Sequence, residues 1–197
     1  MKSSPLVKLE PADLAVTLQR AEVSDDSKVA LQGVVTVAAA IEALTNAGLL
    51  LDAVRLMSHA LPKREAVWWA CMTARHTSPS DLPRGDVDAL EAAELWVRRP
   101  TDENRRAAFA LAQTAGFRSP EAWAAVAAFW SGDSMAPLGQ PVVPPGPHLT
   151  GAAVAGSVIL GSVPITPALQ PQRLGRFLAS GHDIAAGGPG RLPPESA

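Results

Sequence analysis

The stretch that most constrains the fold is Leu61–Arg75, with the sequence LPKREAVWWACMTAR. After Pro62, which suits the first turn of a helix, no residue of this stretch breaks a helix. At 100° per residue, Ala66, Ala70 and Ala74 align on one side of the helix, and the paired tryptophans lie on the other side. A helix that is apolar on nearly all sides is a buried helix. The stretch therefore predicts the central helix of an all-α domain.

Helical patterns of the same kind precede and follow this stretch. Successive antiparallel helices with short connections are predicted over three segments, 36–61, 62–98 and 101–131. These segments lack the fixed period and repeated motif of a repeat protein. The sequence thus predicts a single-domain helical bundle, or a short α-solenoid of antiparallel helices, with its core in residues 10–131.

Three further regions are predicted after this core. Residues 132–149 form a proline-rich connector that cannot be a regular helix, because prolines recur along it. Residues 150–181 form a small helical extension that packs on the core. Within it, 151–162 is expected to be a helix, although Val158–Leu160 is also compatible with a strand. The remaining residues, 182–197, are rich in Gly, Pro and Ala and are expected to be a disordered tail.

Composition and charge exclude several classes of protein. The net charge of −2, from 17 basic and 19 acidic residues, argues against a general nucleic-acid binder. The single cysteine, Cys71, lies on the apolar side of the central helix and is expected to be a buried, inert thiol. The longest apolar run, Gly151–Val163, is too short to span a bilayer, and the first residues lack the apolar region of a signal peptide. A cytoplasmic protein without a membrane span is expected.

One short string has the appearance of a catalytic motif. The residues from Gly132 to Leu138 resemble the Ser-Met-x-Pro box of signal peptidases and self-cleaving repressors, in which the serine is the nucleophile and a later lysine is the base. The last lysine of this chain is Lys63, which precedes Ser134, and those enzymes are rich in β-structure. We therefore interpret the string as a coincidence.

The other sequence patterns do not indicate an enzyme. The histidines are scattered, without the spacing of metal ligands, and His59 lies on a charged helix face where solvent exposure is expected. Hydrolase, metalloprotease and nucleotide-binding motifs are missing from the sequence. We predict a protein that is not an enzyme and that has no cofactor and no metal site.

A stripe of the central helix contains the residues best suited to bind a protein partner. Arginine and tryptophan are enriched among the residues that dominate protein interfaces. If the stripe is exposed, it forms a docking surface; otherwise, the arginine stems stack on the tryptophan within the domain. Both interpretations remain open for the four residues concerned, which are Arg64, Trp68, Met72 and Arg75.

Three features occur together in the sequence: LPKREAVWWAC at 61–71, the helix end Trp130–Gly132 with Ser134–Pro137, and the proline run that closes in His148–Thr150. Together they resemble an uncharacterised bacterial all-helical family that is found near type VI secretion genes. The resemblance covers roughly residues 10–180, and it implies a cytoplasmic accessory role in secretion, such as effector loading. It brings no catalytic residues with it.

The function expected from the sequence is that of a non-enzymatic protein-binding accessory protein, an adaptor or chaperone for type VI secretion effector loading. Its partner would be a secretion effector or a spike or baseplate component. One alternative is a structural subunit that self-associates through the Gly/Ala-rich segment 151–162. A second alternative is a hydrolase in which Ser134 and a histidine come together only in the fold. The oligomeric state does not follow from the sequence.

Overall fold

Helices of 6 to 16 residues make up most of the chain. The computed structural model describes residues 6–9 and 13–195. Within them the elements are α1 (Leu14–Ala21), α2 (Asp25–Ala30), α3 (Val37–Asn46), α4 (Leu50–Ala60), α5 (Lys63–Thr77), α6 (Arg84–Arg98), α7 (Asp102–Thr114), α8 (Pro120–Trp130), α9 (Leu149–Gly161) and α10 (Gln170–Ala185), with a 3-10 turn at Pro167–Leu169 before α10. The described residues contain no β-strand, so the predicted all-α fold is confirmed.

Side-chain caps fix where several helices begin. The hydroxyl groups of Ser24, Thr36, Thr101 and Ser119 each accept a hydrogen bond from a backbone N–H in the first turn of α2, α3, α7 and α8. These bonds satisfy donors that would otherwise have no partner at a helix start. At the other end of α3, Gly48 adopts a positive φ of 74°, which glycine tolerates without strain. The boundaries expected from the sequence are therefore close to the observed ones.

The predicted central helix corresponds to α5, which contacts α6, α8, α9 and α10. Its alanine side is fully enclosed, and the Trp69 side chain is completely buried. The Trp69 indole N–H donates to the Phe177 carbonyl oxygen at 2.8 Å, which ties α5 to α10. Its neighbour Trp68 is only half-buried. The two tryptophans thus differ in role, because only the second points into the core.

Helix α9 is the second helix at the centre of the bundle. It packs against α4, α5 and α8, and its helical conformation settles the alternative between helix and strand. The Thr77 hydroxyl of α5 donates to the Gly161 carbonyl oxygen at 2.8 Å, which ties the end of α9 to α5. The Ser157 hydroxyl donates to the Pro120 carbonyl oxygen at 2.7 Å, at the start of α8. Helix α9, the first helix of the extension predicted over 150–181, thus contributes buried residues to the core.

The bundle has two groups of helices with α5 and α9 between them. On one side, α6, α7 and α8 pack against each other; on the other, α1, α3 and α10 pack around α4. The helices are joined by short connections, except for the proline-rich connector between α8 and α9. Among the described residues, none of the helices combines the length and the apolar character that crossing a membrane requires.

The end of the chain differs from the disordered tail that we expected over 182–197. Helix α10 continues to Ala185, and the described residues after it lie along α5 and α10 without regular secondary structure. Composition predicted a disordered tail and did not reveal that α10 extends to Ala185. It did not reveal the contacts, because they are hydrogen bonds from side chains of other helices to backbone carbonyl groups of this segment.

Candidate functional site

The four residues predicted to form a partner-binding stripe lie on α5, but most of them bond to other parts of the chain. The Arg64 Nε donates to the Val97 carbonyl oxygen of α6 at 2.6 Å. Arg75 forms a two-point ion pair with the buried Glu94 of α6, with N···O distances of 2.5 and 3.0 Å. Met72 is buried. The structure therefore does not place the four side chains on one open surface, and their partner-binding role stays a prediction.

Two of these residues do border a surface cleft. Arg64 and Trp68 line a cleft of about 310 Å³ together with Lys8 and Arg98. The Trp68 indole N–H donates to the Pro189 carbonyl oxygen at 2.8 Å, so one edge of this cleft is formed by the end of the chain. Arg64 and Trp68 are thus the two residues of the predicted stripe that border this cleft.

The proline-rich connector is closed at its base by Ser134 and Met135. The Ser134 hydroxyl accepts hydrogen bonds from the backbone N–H groups of Ala136 and Val143, at 3.2 and 3.1 Å. The Met135 N–H donates to the Val143 carbonyl oxygen at 2.7 Å. The observed partners of the Ser134 hydroxyl are thus backbone groups of the connector, and its role here is to close a loop.

Two arginines of α7 hold the same base against the bundle. The buried Arg105 donates to the Ser134 carbonyl oxygen at 2.7 Å, and Arg106 donates to the Ala136 carbonyl oxygen at 2.8 Å. Both guanidinium groups also pair with Asp102. Charge-assisted bonds of this kind are stronger than neutral ones, so the first residues of the connector are held in place.

Beyond this base, the connector presents apolar side chains to solvent. Leu138 is 76% exposed and Val142 is 71% exposed. Residues 141–146 have no helical or strand structure, and four of the residues from 141 to 147 are prolines. Exposed apolar patches mark interaction sites, so Leu138 and Val142 are candidates for contact with a partner.

A second site lies where the end of the chain meets α10. The Arg173 side chain is 3% exposed, and its Nη2 lies 2.6 Å from Glu195 Oε2. Its Nη1 donates to the carbonyl oxygens of Ser162 and Pro164, so the guanidinium also closes the connection between α9 and α10. The bond from Arg173 lowers the pKa of Glu195, which keeps this carboxylate ionised. Glu195 therefore neutralises a buried positive charge.

The backbone of the residues before Glu195 is bound by side chains of two helices. The Ser180 hydroxyl of α10 donates to the Gly190 carbonyl oxygen at 2.5 Å, and His76 Nδ1 of α5 donates to the Pro193 carbonyl oxygen. The Glu195 N–H donates back to the His76 carbonyl oxygen at 2.7 Å. We call residues 189–195 the C-terminal segment, and the surface of α5 and α10 beneath it the C-terminal groove.

A buried carboxyl group near the end of α5 was not singled out by the sequence. Glu121 of α8 is 1% exposed, and its Oε1 lies 2.9 Å from the Ser78 hydroxyl oxygen. Burial, together with the nearby Asp86, raises the pKa of Glu121. Glu121 lies in the first turn of α8, where a carboxylate interacts favourably with the helix dipole. The loop after α5, which covers it, is distant in sequence.

Two other reactive side chains are covered by neighbouring helices, Cys71 completely and His59 in part. The Cys71 thiol is completely buried, and burial raises its pKa. The expectation that His59 is solvent-exposed was wrong, because α9 covers it: a Cβ atom at Gly151 would lie closer than 3.0 Å to the imidazole. Burial, and then the nearby charges of Arg20 and His148, lower the pKa of His59 to about 4. The imidazole is therefore neutral at physiological pH.

Metal ligands are not grouped in the part of the chain that the structure describes. Within residues 6–9 and 13–195, no three His, Cys, Asp or Glu side chains are arranged to hold a metal ion. The features that stand out are instead a fixed, exposed connector and a groove that binds an extended segment.

Comparison with known proteins identifies the family. The sequence model described as "Family of unknown function (DUF6931)" matches residues 40–185, which is most of the chain, and the chain belongs to this family. The match runs from α3 to the last residue of α10. No curated protein and no solved structure matches the chain.

Proposed function

We propose that this DUF6931 protein is a non-enzymatic protein-binding accessory protein, an adaptor or chaperone that presents its proline-rich connector to a protein partner. The observation that carries the proposal is the combination of a fixed base and an exposed apolar tip. Arg105 and Arg106 hold the base through carbonyl groups, whereas Leu138 and Val142 are exposed. A loop without a binding role has no need of both features.

The proline spacing supports a particular kind of partner. Pro141, Pro144 and Pro147 are three residues apart, and a polyproline II segment has three residues per turn, so these prolines fall on one edge of such a segment. Segments of this type dock in grooves lined by aromatic side chains, at low cost in conformational entropy. The partner that we propose therefore has an aromatic-lined groove that receives residues 141–147.

We further propose that this partner belongs to a type VI secretion system, as a secretion effector or as a spike or baseplate component. The support for this setting is the resemblance carried by the LPKREAVWWAC stretch at 61–71. In this proposal the protein works in the cytoplasm, where it keeps the partner ready for loading before secretion. The partner would bind to the exposed part of the fixed connector.

Site-specific photo-crosslinking in the native cells tests the proposal. A photoreactive residue at position 142 should trap one partner in good yield. The matched control is position 35, since Val35 is also an exposed apolar residue, 82% exposed, but lies in the connection before α3. Equal trapping at both positions, or none at position 142, would contradict a role for the connector.

Substitutions test the adaptor role, and the identity of the trapped protein tests the assignment to a type VI secretion system. Leu138→Asp and Val142→Asp should each remove most of the partner from an affinity purification, whereas Val35→Asp should leave the amount unchanged. Identification of the trapped protein as a secretion effector, spike or baseplate protein would support the type VI setting. A trapped protein of another kind would refute that setting and leave the adaptor role in place.

A further inference from the structure

The C-terminal groove binds the C-terminal segment in the manner of a peptide-binding site. Side chains of Trp68, Ser180 and His76 donate hydrogen bonds to three backbone carbonyl groups of the segment, which has no helix or strand. The Gly190 N–H in turn donates to Asp183 Oδ2 at 2.7 Å. These bonds hold the main chain of the segment. Peptide-recognition grooves obtain part of their affinity in the same way. At Gly190 the groove also selects glycine, because a Cβ atom there would lie closer than 3.0 Å to the Ile184 side chain and φ is +62°.

One side chain of the segment is recognised specifically. The Arg173 guanidinium faces the Glu195 carboxylate with its Nε and Nη2 groups, and the Arg176 Nη1 lies 3.7 Å from the same carboxylate. A planar guanidinium that donates two bonds selects carboxylate geometry. Because Arg173 is buried, it requires an anionic partner whenever the groove is closed.

The groove extends beyond the residues that fill it. Glu195 lines a cleft of about 920 Å³, which also includes Ser78 and Ser80 from the loop after α5 and Thr166 from the connection before α10. The C-terminal segment itself is shallowly seated, since Pro189, Arg191, Pro193 and Pro194 are exposed and only Gly190 is buried. A segment with so little buried apolar surface is held mainly by a few polar contacts, and such regions open locally at low cost.

We propose that the C-terminal groove is a binding site for an extended, proline-containing acidic segment of a partner protein, and that residues 189–195 of this chain occupy it as a tethered pseudo-ligand. The partner's segment would place a glutamate or aspartate on Arg173 and its backbone carbonyl groups on Trp68, Ser180 and His76. Binding of the partner displaces the C-terminal segment, so a partner must bind the groove more favourably than this segment does. This site is separate from the connector and does not depend on the role proposed for it.

A labelled peptide and one substitution in the full-length protein test the proposal. The probe is a fluorescent peptide with the sequence of residues 189–195, PGRLPPE, amidated so that the glutamate carries its only carboxylate. Glu195→Gln weakens the hold of Arg173 on the resident segment. We expect the variant to bind the probe about tenfold more tightly than the wild type, since one charge-assisted contact is worth about this factor. The control Arg191→Gln changes a charge of the same segment that has no ion pair within the described residues, and it should bind like the wild type.

A second peptide tests the carboxylate site without a further change to the protein. Replacing the glutamate of the probe by glutamine should weaken its binding to the Glu195→Gln variant about tenfold. Equal affinity of the wild type and the variant for the original probe would overturn the pseudo-ligand assignment. Equal affinity of the variant for the two peptides, or no binding of either, would overturn the assignment of Arg173 as a carboxylate site.

Discussion

The Ser78 hydroxyl oxygen lies 2.9 Å from Glu121 Oε1 and also 2.9 Å from the Ala74 carbonyl oxygen. A serine hydroxyl has one proton to donate. If that proton goes to Ala74, the contact with Glu121 is a hydrogen bond only when the carboxyl group is protonated and donates to Ser78. The other carboxyl oxygen, Oε2, is buried without a partner among the described residues. Burial raises the pKa of Glu121, although hydrogen bonds from its own backbone N–H and from Ser78 act in the opposite direction.

The raised pKa of Glu121 predicts how its replacement affects stability. Because the pKa is higher in the folded state than the 4.5 of the free side chain, the native state gains stability below pH 4.5 and loses it as the pH rises through the folded pKa. Glu121→Gln keeps the neutral shape and should therefore raise the free energy of unfolding at pH 8, with a smaller difference at pH 5. Urea titrations of the variant and the wild type at the two pH values measure this difference in the free energy of unfolding. A variant less stable than the wild type at pH 8 would show that Glu121 is ionised and paired.

His59 predicts the opposite pH dependence. Its pKa of about 4 in the folded state lies below the 6.5 of the free imidazole, so the unfolded chain binds more protons between these values. The stability that His59 contributes is present above pH 6.5 and is lost as the pH falls through 4, by about 2 kcal/mol allowing for partial exposure. His59→Gln should flatten this part of the pH–stability profile. If the free energy of unfolding of this variant still declines between pH 7 and pH 4 as it does in the wild type, groups other than His59 cause the decline.

The local features of the fold could be predicted from the sequence because they depend on neighbouring residues. Helix periodicity identified α5, and the predicted segments 36–61 and 101–131 begin at Thr36 and Thr101, which cap α3 and α7. Proline spacing identified the connector between α8 and α9. Each of these signals acts within one or two helical turns.

The contacts that build the candidate sites are between residues far apart in the sequence. Glu94 and Arg75 are 19 residues apart, and Trp68 and Pro189 are 121 residues apart. The periodicity of α4 placed His59 on a charged face, but it could not indicate that α9 would cover that face. For the same reason, the contacts of the segment after α10 were not predictable, since the groups that bind it lie on α5 and α10.

Replacement by alanine should have opposite effects on stability at two helical glycines, because one faces a crowded helix contact and the other faces open space. Gly151→Ala would place a Cβ atom against the His59 imidazole, closer than real Cβ contacts occur, and overpacking of this kind costs about 1–3 kcal/mol of stability. Gly175→Ala in α10 meets no atom within 4 Å, and it should stabilise the protein by up to about 1 kcal/mol through helix propensity. Thermal and urea unfolding of the two variants give the comparison. A neutral Gly151→Ala variant would mean that α4 and α9 separate easily.

The hydrogen bonds at the base of the connector predict that replacing Ser134 loosens the connector locally. Its hydroxyl accepts two backbone N–H groups, from Ala136 and Val143, so Ser134→Ala should cost about 1–2 kcal/mol and loosen the connector. Limited proteolysis should then cut within residues 137–147 faster than in the wild type. Ser131→Ala is a matched control, since that hydroxyl bonds only within α8, to the Ala127 carbonyl oxygen. Equal cleavage rates in the two variants would show that the Ser134 hydroxyl does not hold the connector closed.

The ion pair between Arg75 and Glu94 separates the two interpretations of the α5 stripe. Removal of Arg75 leaves the buried Glu94 carboxylate without its two-point partner, so Arg75→Ala should cost about 1.5–3 kcal/mol of stability. Arg98 lies 3.7 Å from the same carboxylate with its side chain 69% exposed, and Arg98→Ala should change stability by no more than about 0.5 kcal/mol. A residue reserved for a partner would behave in the reverse way, with unchanged stability and lost partner capture. If Arg75→Ala unfolds at the same urea concentration as the wild type, the ion pair contributes nothing and Arg75 is available as a docking residue.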